Sequence, residues 1–193
     1  MTWSEGAIAR AIGMQTLARK CVVLVDRCNW TGHECDILAV TTDLRIIDVE
    51  IKISRADLKA DAAKDKWWHR AGYNPWRGEQ QPAPVARSHP PKVWKHYYAL
   101  PADIWKPELL ECLPSPASGV LLLNMQGYPR STDQSMTVKC VRRSTPAKDA
   151  TRLRPEQVMD IARLANLRMW ESYQQRDKAM AEVRTLRVPG VAA

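Results

Sequence analysis

The sequence predicts an α/β fold with a mixed central sheet flanked by helices, and three observations lead there. Short β-branched runs crowd the first third of the chain, "KCVVLVD", "ECDILAV" and "LRIIDVEIKI", each with the length and composition of a strand. Helical periodicity precedes them, separates them from later strands and closes the chain. The resulting order is helix, three strands, helix, strand, helix, strand, which suits helices and strands layered on a shared core.

Over residues 4–18, Ala7, Ile8, Ala11, Ile12 and Leu17 fall on one helical stripe. Ser4 is placed as an N-cap, and Glu5 lies in the first turn, where the helix dipole favours an acid. The three strands follow, joined by "CNWTGH" and "TTD", and the shorter connection predicts a hairpin. From Arg55 to about Arg70 the spacing of Leu58, Ala62 or Ala63, and Trp67 predicts a second helix. Residues 71–92 have no period and carry Pro75, Pro82, Pro84, Pro90 and Pro91, so they form a long loop inserted in the domain. "WKHYYAL" and "GVLLLNM" predict two more strands around a short broken helix, "ADIWKPELLECL", and "SMTVKCVRR" predicts an edge strand. Pro155 suits the first position of a closing helix, with Val158, Ile161, Ala162, Ala165 and Met169 on its apolar face. Residues 1–175 are expected to form one domain, and 176–193 the end of that helix and a tail.

At 193 residues with 45% apolar and 26% charged content, the chain has an ordinary globular composition with enough apolar residues for a sizeable core. Its net charge of +8 favours an acidic partner, and nucleic acid is the expected one. No apolar run approaches the roughly 18 residues that span a bilayer, so the expected location is the cytoplasm. Five cysteines, an odd number, predict reduced thiols. "CNWTGHEC" holds Cys28, His33 and Cys35 but lacks the paired spacing of a zinc module, and His33 is expected to be solvated.

In "DVEIKIS" a strand puts Asp48, Glu50 and Lys52 on one face and Val49, Ile51 and Ile53 on the other. Asp36, on the preceding strand, gives the charged face a purpose. A three-residue loop, Thr42 to Leu44, sets Asp36 opposite Glu50, with β-carbons about 4.5–5.5 Å apart; a two-residue loop turns Asp36 to the wrong face. Two carboxylates so placed repel unless a cation lies between them. Hard oxygen ligands suit Mg²⁺, with Mn²⁺ as its substitute, and such an ion activates water against a phosphate. Lys52 is placed to orient that water. The opposing reading is an exposed strand face that alternates Glu and Lys. Basic residues extend the argument to DNA: Arg55 and Lys59 on the next helix, then Arg70, Arg77, Arg87, Lys92 and Lys95 in and around the loop, interleaved with Trp76 and Trp94. A solvated proline-rich excursion explains the loop equally well.

The stretch "CDILAVTTDLRIIDVEIK" resembles the metal-binding hairpin of the PD-(D/E)XK nuclease superfamily, with Asp36, Glu50 and Lys52 at its Asp, Glu and Lys. With "EIKISRADLKAD", "KHYYALPADI", "GVLLLN" and "ARLANLRMW", the chain is most similar to its MmcB-like DNA repair proteins, the insertion at 71–92 being the main departure. The resemblance implies an αβββαβ restriction-endonuclease-like core, Mg²⁺ held by Asp36, Glu50 and the Ile51 carbonyl, catalytic help from Lys52, and an acidic residue on the first helix, for which Glu5 is the candidate. It implies a DNA endonuclease acting in repair or in a mobile element, with a homodimer as one arrangement. The rival expectation is a catalytically silent DNA-binding or adaptor module with the same fold.

Overall fold

The computed structural model describes residues 3–72, 82–126 and 135–186. Helix α1 (Glu5–Ile12) continues as a π-helical turn, Gly13–Leu17. Three strands follow, β1 (Cys21–Cys28), β2 (Cys35–Thr41) and β3 (Ile46–Ile51), and then α2 (Arg55–Ala60). A short hairpin pairs β4 (Trp68–His69) with β5 (Val85–Ala86). The chain ends with β6 (Val93–Pro101), β7 (Gly119–Gln126), β8 (Ser135–Arg142) and the long helix α3 (Pro155–Leu186).

Six strands form one mixed sheet in the order β1-β2-β3-β6-β7-β8. The pairs β1–β2, β2–β3 and β7–β8 are antiparallel, and β3–β6 and β6–β7 are parallel. The expected α/β fold is therefore present, and β8 is the expected edge strand. Parallel pairs need crossovers, which α2 with its following turns supplies between β3 and β6, and a 3-10 segment (Pro107–Cys112) between β6 and β7. Gly119 is required at the start of β7, because a β-carbon there would collide with the Tyr97 ring across the ladder.

The core forms on both faces. Ile8 and Ile12 of α1 pack on Ile37, Ile47, Val49 and Ile51, and each such buried side chain contributes about 1.5–3 kcal/mol. On the opposite side Ile161 of α3 packs with Leu38, Val40, Ile46 and Val93. Further along the sheet Leu58, Trp67, Tyr98 and Leu100 form a third cluster. The first half of α3 thus follows its apolar spacing. Beyond it the helix runs without a break past residue 176, and Met169, expected on the buried face, is 40% exposed together with Trp170 at 61%. A helix of 32 residues is about 48 Å long at 1.5 Å per residue, more than the β1 edge on which it packs can cover. Among the described residues no helix is long and apolar enough to cross a membrane.

The predicted second helix is shorter than its periodicity. It stops at Ala60, and two 3-10 turns, Asp61–Ala63 and Asp65–Trp67, replace its continuation. Asp61 accounts for the break: its carboxylate accepts hydrogen bonds from Trp67 Nε1 at 3.0 Å and Tyr98 Oη at 2.5 Å. These buried polar bonds override local propensity.

Candidate functional site

The β2–β3 connection is the three-residue loop. Thr41 N–H donates to Arg45 O at 2.9 Å, Leu44 takes the left-handed conformation such loops use (φ 62°), and Ile37 pairs with Val49 and Leu38 with Asp48. The ladder ends there. Asp36 leaves it, and its Oδ2 instead accepts from Ile51 N–H at 2.6 Å, so Asp36 and Glu50 are not a ladder pair.

Asp36 lines a cavity of about 620 Å³ together with Glu5, Arg10, Arg27 and Ile51. Burial, and then the charge of Glu50, push the Asp36 carboxyl up to about 6, with Glu5 adding to the rise. No hydrogen bond reaches Asp36 Oδ1 among the described residues. Glu5, Asp36 and Ile51, three residues singled out from the sequence, therefore meet at one cavity.

Glu50 and Lys52 lie behind it in a buried ion cluster. Glu50 is 3% exposed and accepts from Lys52 Nζ at 2.8 Å, Lys64 Nζ at 2.7 Å and Lys66 Nζ at 2.7 Å. Asp61 Oδ1 lies 3.1 Å from Lys52 Nζ and 2.9 Å from Lys64 Nζ. Burial works against both carboxylates, but the Lys66 charge and the other ammonium contacts outweigh it and hold Glu50 and Asp61 below the usual range. Lys64 and Lys66 are held charged by the same acids despite their own desolvation. The acids come from β3 and from the residue after α2, the lysines from the end of β3 and the 3-10 turns.

Asp48, fully buried, begins a second group. Its Oδ2 lies 3.2 Å from His33 Nε2 and 3.9 Å from His96 Nε2. Burial would raise its pKa, but the His33 hydrogen bond, the Lys66 charge and, in acid where His96 is protonated, the His96 charge lower it. Burial pushes His96 down to about 4, so its ring is neutral at neutral pH, and its Nδ1 meets Ser118 Oγ at 3.1 Å. His33 is thus tied to Asp48 rather than solvated.

The basic residues expected to meet DNA have local partners. Arg55 Nε donates to Ile104 O at 2.6 Å, Arg70 pairs with Asp65 at 3.0 Å, and Arg87 Nε donates to Trp68 O at 3.2 Å. Lys92 Nζ lies 4.8 Å from the Trp30 ring centroid, and Lys95 Nζ 4.3 Å from that of Trp94. Lys59 is exposed on α2, and Arg77 lies outside the described residues. The sequence reading missed Asp61, Lys64, Lys66, His96 and Tyr98. The paired lysines of "KDK" (64–66) were visible as charges, but their convergence on Glu50 comes from the 3-10 turn Asp65–Trp67 that follows Lys64.

No family model matches the chain, and no curated protein matches it. Among solved structures it is similar to a protein of unknown function from Silicibacter pomeroyi, 17% identical over 100% of both chains, with a TM-score of 0.49.

Proposed function

We propose that the chain is a metal-dependent DNA endonuclease that hydrolyses phosphodiester bonds. The observation that carries this reading is the cavity where Glu5, Asp36 and Ile51 converge, with Glu50 and Lys52 near enough for their charges to act on Asp36. The donors fit a hard cation: they are carboxylate and carbonyl oxygens, and burial first, then the nearby charge of Glu50, raises Asp36, both of which a divalent ion bound there would offset. Asp36, Glu5 and the Ile51 carbonyl would hold Mg²⁺ or Mn²⁺ at this cavity, whereas Glu50 is held by Lys52, Lys64 and Lys66 and would join only if it exchanged an ammonium for the ion. When bound, the ion supplies an activated water and charge stabilisation at the phosphate. Arg10 and Arg27 in the cavity wall offer the phosphate planar donors. Lys52, fixed between Glu50 and Asp61, is held ready to place a proton or a positive charge.

The test is single-turnover cleavage of duplex, branched and single-stranded DNA with Mg²⁺ or Mn²⁺. Lys52→Ala is expected to slow cleavage by about 100-fold or more. Lys52→Arg is not expected to restore it, because a planar, permanently charged guanidinium does not replace a compact ammonium. Cleavage by Lys52→Ala within about threefold of wild type removes Lys52 from the chemistry.

The pH dependence is a separate expectation. Protons and metal compete for Asp36, whose carboxyl titrates at about 6. The Mn²⁺-induced rise in melting temperature should be large near pH 7.5 and small near pH 5. Calorimetry showing equal shifts at both pH values would count against Asp36 as a ligand.

One observation favours a second reading. The Glu50–Asp61 pair is already neutralised by three ammonium groups, as suits a silent DNA-binding module. DNA binding by wild type without cleavage of any of these substrates would select it.

A further inference from the structure

We propose that His33, Cys35 and Asp48 form a binding site for a thiophilic divalent cation of the zinc class. It lies apart from the Asp36 cavity: His33 lines a different opening, of about 490 Å³, with Thr31, Lys64 and Lys66.

The geometry already has the dimensions of a coordination shell. His33 Nε2 lies 3.2 Å from Asp48 Oδ2 and 3.6 Å from Cys35 Sγ, and the three ligand atoms all fall within 4.8 Å of one another. Zinc bonds of about 2.0–2.3 Å in a tetrahedron set ligand atoms about 3.3–3.8 Å apart. A thiolate, a carboxylate and an imidazole match the ion's preferred donors.

Unsatisfied atoms point to the same place. Asp48 is fully buried, and its Oδ1 has no hydrogen-bond partner among the described residues. His96, also fully buried, has an equally unpartnered Nε2 aimed at the Asp48 carboxylate, 3.9 Å from Oδ2. Orphaned buried polar atoms are costly and rare in a native protein. An outer layer holds the ligands in place: Thr31 Oγ1 donates to His33 O at 2.9 Å and lies 3.5 Å from Cys35 Sγ, so its hydroxyl fixes the loop and faces the Cys35 thiol, which burial and the Asp48 charge keep protonated until a metal displaces the proton. Gly32, with φ 100°, makes the turn that brings His33 back over the strand, a conformation other residues rarely adopt. Three protein ligands leave a fourth position for water or a small anion.

The test uses the reduced full-length protein, freed of metal by dialysis against a chelator and titrated with Co²⁺. A near-ultraviolet thiolate-to-cobalt charge-transfer band should appear, saturate at one Co²⁺ per chain and be displaced by Zn²⁺ but not by excess Mg²⁺. Cys35→Ser should abolish the band, whereas Cys112→Ser and Asp36→Asn should keep it. His33→Gln, at a partly exposed side chain that leaves the core untouched, should weaken Co²⁺ binding at least about tenfold. Absence of the band in wild type, its persistence in Cys35→Ser, or unchanged affinity in His33→Gln overturns the proposal. Because the band reports sulfur alone, its outcome is independent of whether the Asp36 cavity cleaves DNA.

Discussion

Asp36→Asn is expected to abolish Mn²⁺-dependent cleavage, by about 100-fold or more, and yet to make the protein more stable at neutral pH. The side chain keeps an oxygen to accept from Ile51 N–H, so the local fold survives. What disappears is a charge held among other acids. The Asp36 carboxyl titrates at about 6 in the folded chain against 3.8 for its ordinary value. Its ionisation therefore costs nothing below pH 3.8, costs progressively more as pH rises to about 6, and costs a constant amount above that. Allowing for solvent screening of a partly exposed group, the penalty is on the order of 2 kcal/mol. Denaturant melts at about pH 7.5 should show the variant more stable by that order, and melts at about pH 3.5 should show the two alike. A variant less stable than wild type at neutral pH would mean that Asp36 is not a strained carboxylate.

Lys66→Met should be the most damaging single change in the ion cluster. The Lys66 side chain is 3% exposed, and its ammonium donates to Glu50 Oε2 at 2.7 Å and lies 3.9 Å from Asp61. Methionine fills similar space but leaves the buried carboxylates short of a counter-charge, a loss of about 3–5 kcal/mol when one partner of a buried pair is removed. For a chain of this length that lowers the melting temperature by roughly 10 °C. Lys64→Met is the control: it contacts the same acids from a side chain that is 48% exposed, where a pair contributes at most about 1 kcal/mol. Equal losses from the two substitutions would show that water reaches the whole cluster.

The contrast between Lys64–Lys66 and the hairpin shows how far the sequence could be read. Strand alternation, the three-residue loop and the α/β order depend on local spacing, and the β2–β3 pairing follows them from Ile37 to Val49. Glu5 and Asp36 were legible as separate candidates, and their meeting at one cavity follows from α1 packing on β3. The lysine partners of Glu50 were not legible, because "ADAAKDKWW" carries helical periodicity that Asp61 overrides by turning inward to Trp67 and Tyr98. His33 and Cys35 lacked a recognised ligand spacing because their third partner, Asp48, comes from a neighbouring strand. Sequence spacing registers ligands along a chain and, across a sheet, reaches only partners joined by a short hairpin loop whose length is read correctly.

The charged face of β3 also bears on how the chain avoids association before it is complete. The β1–β3 meander is local in sequence, whereas pairing β3 with β6 requires closure of a far longer crossover. Whenever the meander stands ahead of β6, β3 is its free edge, with unpaired amides and carbonyls open to another chain. Asp48, Glu50 and Lys52 then alternate along that edge, and burying them against a foreign strand costs desolvation with no matching lysines or aspartate to receive them. Only the chain's own segment 61–66 brings Asp61, Lys64 and Lys66 to the right places. A foreign strand on β3 would thus leave Glu50 and Lys52 without the partners they have in the folded chain.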